Sequence, residues 1–127
     1  MSSKDAKMKL YHFTCPSRME SIMRLGIFKG DVPIGPVSGF NAPWLTSDPE
    51  PANQAWDAGG TKSDCRIEVL IPDEELGNLT TWDEVCAVYD VPEFWREALR
   101  KAGGNDGDWY IYQGVIDTSW IVQVTHF

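Results

Sequence analysis

The sequence predicts an α+β fold with mainly antiparallel strands. Three observations predict it. β-rich runs stand at both ends of the chain, the element order reads β-α-loop-β-α-β-α-α-β-β, and strands do not alternate regularly with crossover helices as a doubly wound sheet requires. A length of 127 residues fits one domain, here 7–127, behind a six-residue N-terminal tail expected to be frayed. Hydrophobic residues make up 43% and include six Trp, enough for a packed core and too many for a disordered chain. No run approaches the roughly 20 apolar residues of a membrane span. MSSKDAKMK lacks the apolar stretch of a signal peptide, so a cytosolic location is expected.

Lys7–Thr14 (KMKLYHFT) reads as the first strand. Pro16 suits a first helical turn, and Met19, Ile22 and Met23 then recur at helical spacing up to Gly26, a candidate left-handed terminator. Residues 30–43 (GDVPIGPVSGFNAP) hold three Gly and three Pro without periodicity, which predicts a long loop able to lie over a pocket. Ala42–Thr46 predicts a short strand carrying Trp44. Ser47-Asp48-Pro49-Glu50 then resembles a capping box for a brief helix, PEPANQAW. Asp64–Pro72 alternates, with Cys65, Ile67, Val69 and Ile71 on one face and Arg66 and Glu68 on the other. Thr81-x-x-Glu84 and Asp90-x-x-Glu93 predict capping boxes for two helices, the second with Phe94, Trp95, Ala98 and Leu99 as its apolar stripe. After the Gly-rich break at 103–107, DWYIYQGVIDTSWIVQVTHF reads as two β runs hinged at Gly114 and Asp117-Thr118.

Several chemistries find no support. The three cysteines, Cys15, Cys65 and Cys86, lack CxxC spacing, and His12 and His126 are the only histidines, so neither a disulfide framework nor a metal site is expected. There is no GxGxxG, no P-loop and no GxSxG elbow. Cys15 near His12 is a conceivable nucleophile pair, but without an evident activating group for the thiol. A net charge of −8 with dispersed carboxylates disfavours direct nucleic-acid binding and suits a basic partner.

Three features remain: His12 in LYHFT leading to a helix that ends at RLGI, Trp44-Leu45-Thr46 followed by a helix with Ala52, Ala55 and Trp56, and Asp108 heading DWYIYQ. In this order they resemble the ADP-ribosyltransferase superfamily, in the branch whose triad is histidine, an aromatic residue and glutamate. The resemblance implies a small fold with a split antiparallel sheet, and NAD as the bound dinucleotide. It implies that His12 donates to the adenosine ribose with Thr14 lining that wall, and that the Phe13 backbone holds the nicotinamide carboxamide. Trp44 stands at the stacking position and Trp56 is a second aromatic against the nicotinamide. Asp108 is the catalytic carboxylate beside the nicotinamide ribose. Gln113 is a polar site candidate if the strand register shifts by one. Asp108 is one methylene shorter than glutamate, and Trp44 replaces the usual tyrosine. The activity implied is mono-ADP-ribosylation of a macromolecular partner, expected to be a protein. The alternative is a catalytically inactive, acidic domain that inhibits a basic or nucleic-acid-binding partner. A kinship with RNA 2′-phosphotransferases, which share the fold, is opposed by the few basic residues near the motifs: Arg18, Arg24 and Lys29.

Overall fold

The computed structural model describes residues 7–35, 38–53, 64–102 and 106–127. In chain order the strands are β1 (Lys7–Thr14), β2 (Asp31–Pro33), β3 (Gly39–Asn41), β4 (Trp44–Thr46), β5 (Cys65–Pro72), β6 (Leu79–Thr81), β7 (Trp109–Tyr112) and β8 (Ile121–His126). The α-helices are α1 (Met19–Leu25), α2 (Trp82–Tyr89) and α3 (Glu93–Ala102). Six strands form one sheet in the order β6-β7-β4-β1-β5-β8, and β2 pairs with β3 in a separate ribbon. All the paired neighbours are antiparallel, in keeping with the α+β class. Because β4 runs antiparallel to both β1 and β7, those two strands point the same way.

The centre of the sheet is the β1–β5 pair, in register from Lys7 opposite Pro72 to Thr14 opposite Cys65. β5 keeps the alternation of its sequence: Cys65, Ile67, Val69 and Ile71 are buried, and the residues between them half-buried. Period-two alternation sends neighbouring side chains to opposite faces, and two cores result. The first gathers Leu10, Ile22, Ile27, Leu45, Ile67, Val69, Tyr112 and Ile116 beneath α1. The second gathers Val32, Trp82, Val85, Cys86, Val91, Trp109 and Ile111, with Trp44 and Trp95 packed against it, beneath α2 and α3.

Several local expectations are corrected. Residues 30–43 are not an unstructured loop but contain the β2–β3 ribbon, whose Val32, Ile34 and Phe40 pack into the second core. Anchored there, the ribbon does not form a flap over His12. Ser47 does not cap a helix. Asp48 instead makes an Asx-type turn, accepting from the Glu50 amide at 2.9 Å, and only a 3-10 turn at Pro51–Asn53 follows. The rest of that expected helix, with Ala55 and Trp56, lies outside the described residues, as does the tail 1–6. Thr81 and Glu84 do form the reciprocal capping box of α2. Asp90, however, does not cap α3: it closes α2 in the left-handed conformation (φ 53°, ψ 49°), which a short polar side chain tolerates. α3 buries Trp95 and Leu99 in part, whereas Phe94 is 65% exposed. No helix among the described residues is long and apolar enough to cross a membrane.

Candidate functional site

The three strands that carry the sequence motifs, β7, β4 and β1, are consecutive in the sheet. β1 and β4 meet at one register pair, Tyr11 opposite Thr46. Two residues further along, the Trp44 carbonyl accepts a hydrogen bond from Nδ1 of His12 at 2.8 Å. A carbonyl cannot donate, so Nδ1 carries the ring proton and Nε2 is left with a lone pair. Burial pulls the imidazole below its ordinary pKa, against the bond to Trp44, and the nearby Arg18 cation lowers it further. The ring is therefore neutral at neutral pH. In this tautomer Nε2 can accept a hydrogen bond but cannot donate one, unlike the donor role expected of His12.

His12 opens onto a cleft of about 150 Å³ at the carboxyl end of β1. Ser17, Arg18 and Ser21, from the turn and helix that follow β1, line it. Gly26, Phe28 and Lys29, beyond the helix, line it as well. Gly26 ends α1 with φ +87° and ψ −176°, a backbone that favours glycine, although its ψ differs from that of the expected left-handed cap. A Cβ there would stand 2.4 Å from the Ile116 carbonyl oxygen. Ile27 and Ile116 exchange backbone hydrogen bonds at 3.0 and 2.8 Å, which fixes this wall of the cleft to the first core.

Thr14 is buried at the end of β1, opposite Cys65. Phe13 is half-buried, and ladder alternation turns its backbone N–H and C=O to the same side as those of Tyr11, toward β4. Asp108 is half-buried in the 3-10 turn Asp106–Asp108, immediately before β7. Its carbonyl accepts from the Ser47 amide, and its carboxylate accepts from the Ser47 hydroxyl, each at 3.1 Å. Those contacts extend the β4–β7 ladder by one pair, so Asp108 shares a face with Tyr110, Leu45 and His12.

Other expected residues are placed elsewhere. The Trp44 indole packs on Trp82 and Trp109, with ring centroids 5.4 and 5.8 Å away, on the second-core side of the sheet. Only its backbone reaches His12. Gln113 is exposed, one residue past β7, and its amide donates to the Asn78 carbonyl at 2.8 Å. Tyr112, of the same strand, is structural: it packs on Trp120 and its hydroxyl donates to Glu75.

Sequence reasoning missed the part played by Arg18 and Lys29 in the cleft. A signal was present, since neither has a carboxylate three or four residues away to pair with on a helix. Cys15 is half-buried, and its thiol is pulled down by the Ser17 hydroxyl 3.2 Å away, with Arg18 contributing. That hydroxyl and Arg18 supply an activating environment that was not evident in the sequence. Among the described residues no group of three or more His, Cys, Asp or Glu is placed to hold a metal ion. No protein-family model, curated protein or solved structure matches the chain.

Proposed function

We propose that the domain binds NAD along β1, β4 and β7 and transfers its ADP-ribosyl group to a macromolecular acceptor, taken to be a protein. One observation carries this reading: His12 and Asp108 share a face of the sheet, two strands apart. At about 4.8 Å per strand and about 3.3 Å per residue their backbones stand about 12 Å apart, a separation comparable to the length of a nucleoside. The cleft would hold one end of a dinucleotide; Leu45, on the same face, is buried in the first core, so the remainder would pass along the half-buried Tyr110 and Asp108.

In this reading His12 Nε2 accepts from an adenosine ribose hydroxyl, and Thr14 supports the strand end that presents it. The Phe13 backbone meets the carboxamide. Asp108 stabilises positive charge as the bond from the ribose to nicotinamide breaks and the electron pair leaves with nicotinamide. A nucleophile on the acceptor then bonds to the same carbon and loses its proton. Ser47 aims the carboxylate, which matters because misplacement by about 1 Å costs on the order of 10²-fold in rate. Trp44 has no stacking role here.

Incubation with labelled NAD and cell lysate tests the proposal, with His12→Ala and Asp108→Ala as comparisons. Label transfer and nicotinamide release by the wild type, lost in both variants, are expected. Absence of both in the wild type refutes it. A second reading, an inactive acidic domain that covers a basic partner, is favoured by Val88 and Phe94, 77% and 65% exposed beside Asp90 and Glu93. Capture of such a partner that is weakened by salt and indifferent to NAD would support it.

A further inference from the structure

The stretch Pro16–Gly30 is unlike the rest of this acidic chain. It carries Arg18, Arg24 and Lys29 against a single carboxylate, Glu20, whereas the whole chain has a net charge of −8. Several cations elsewhere are engaged. Arg96 is paired with Asp83 and Glu93, and Arg100 with Glu93, Glu97 and Asp106. Lys9 stands 3.9 Å from Glu68, and Arg66 lies between the Tyr11 and Phe127 rings while donating to the Pro49 carbonyl. Among the described residues Arg18 and Lys29 have no carboxylate partner, and both line the His12 cleft. Lys29 stands 5.6 Å from the Phe28 ring centroid, a contact that leaves its charge unneutralised, so two cations lining one cleft leave a local charge of about +2.

We propose that the His12 cleft is a site for a ribose bearing a phosphomonoester, with Arg18 and Lys29 holding the phosphoryl oxygens and His12 Nε2 accepting from a ribose hydroxyl. Charge selects the group. A phosphomonoester carries close to two negative charges at neutral pH, matching the two cations, while each phosphate of a dinucleotide's internal pyrophosphate carries about one. Chemistry at the cations agrees: the Arg18 fork takes two oxygens of one phosphoryl group and Lys29 acts as a point charge. The Ser21 hydroxyl, which also lines the cleft, adds a donor. Size agrees as well. About 150 Å³ accommodates an end group rather than a whole dinucleotide, since pockets for complete drug-sized ligands begin at about 300 Å³. The placing of a ribose against His12 rests on the proposed function, whereas the phosphoryl site rests on charge and geometry alone. A nucleoside monophosphate seated here would compete with NAD and so act as an inhibitor of the proposed transfer.

The test is calorimetric titration of the full chain at low salt with AMP, adenosine, NAD and inorganic phosphate. AMP is expected to bind about tenfold or more tightly than adenosine or NAD, and more tightly than phosphate. Arg18→Gln and Lys29→Gln are each expected to weaken AMP about tenfold. Arg24→Gln removes the same charge from the neighbouring helix α1, outside the cleft, and should leave binding unchanged. Equal affinity for AMP and adenosine overturns the phosphoryl site, as does an Arg24→Gln loss as large as that of Arg18→Gln. Phosphate binding as tightly as AMP overturns the ribose contact. Failure of the transfer proposal is read separately: AMP binding that persists without any cleavage of NAD refutes the transfer and leaves this site standing.

Discussion

Replacing Trp44 separates a stacking platform from a packing residue. The indole is half-buried and touches Trp82 and Trp109 in the second core. Truncating a fully buried aromatic to Ala costs about 3–5 kcal/mol, and half burial reduces that to about 2 kcal/mol. The two ring pairs add about 0.5–1.5 kcal/mol each in favourable geometry, so about 3 kcal/mol is expected for Trp44→Ala. For a domain of this size that lowers Tm by roughly 10–15 °C. Trp44→Phe keeps a ring against Trp82 and should cost about 1 kcal/mol. The bond from His12 goes to the Trp44 carbonyl, so both variants keep it. Urea unfolding followed by far-UV circular dichroism gives the stability change, and calorimetric titration gives NAD affinity. Trp44→Phe should bind NAD as the wild type does. If Trp44→Phe loses tenfold or more in NAD affinity while stability changes by less than about 0.5 kcal/mol, the indole belongs to the ligand and the packing argument is wrong.

Three further outcomes follow from the same geometry. Gly26→Ala places a Cβ against the Ile116 carbonyl in a positive-φ backbone, and should cost about 2–3 kcal/mol in chemical denaturation, where an unchanged midpoint would contradict the strain. In the native state Cys15 should react first with a thiol reagent. Cys65 and Cys86 are buried, with burial raising both thiols and pushing Cys86 up to about 11, so they should react only on unfolding; early labelling of either contradicts this. The depressed pKa of His12 means that the unfolded chain takes up a proton below about 6.5 that the folded chain still refuses. Stability should therefore fall as pH drops below that value and level off below the folded pKa, and His12→Asn should lose this component of the pH profile.

Legibility in the sequence followed the length of each signal. β1 and β5 are eight residues each and were readable to within a residue, because alternation over that span fixes both period and face. The α2 capping box was readable because Thr81 and Glu84 are a local pair whose partners are each other. β2, β3 and β6 are three residues each, too short to show a period, and the prolines and glycines around β2 and β3 look like loop. Asp90 was misassigned because one residue can serve either of two adjoining helices, and Val91-Pro92 places it at the end of the first. In the candidate site, His12 was readable as a strand histidine. The acceptor of its proton was not, since it is a carbonyl 32 residues away, and any residue type could supply it.

β4 explains why the two ends of the proposed site stand or fall together. It has only three residues, yet Trp44 gives its carbonyl to His12 and its indole to the second core, and Leu45 enters the first core. Thr46 stands between Tyr11 and Trp109 and accepts from the Asp48 amide, and Ser47, the next residue, holds Asp108. A slip of one residue would exchange the faces of Trp44 and Leu45, placing the larger side chain in a core filled around the smaller. It would also move the carbonyl that fixes the His12 tautomer and the hydroxyl that aims the Asp108 carboxylate. Packing in the two cores therefore sets the position of both functional groups through four consecutive residues. Those groups need no contact with each other to be coupled. A substitution that loosens either core at β4 disturbs ribose recognition and carboxylate placement at once, whereas one at Arg18 or Lys29 affects the cleft alone.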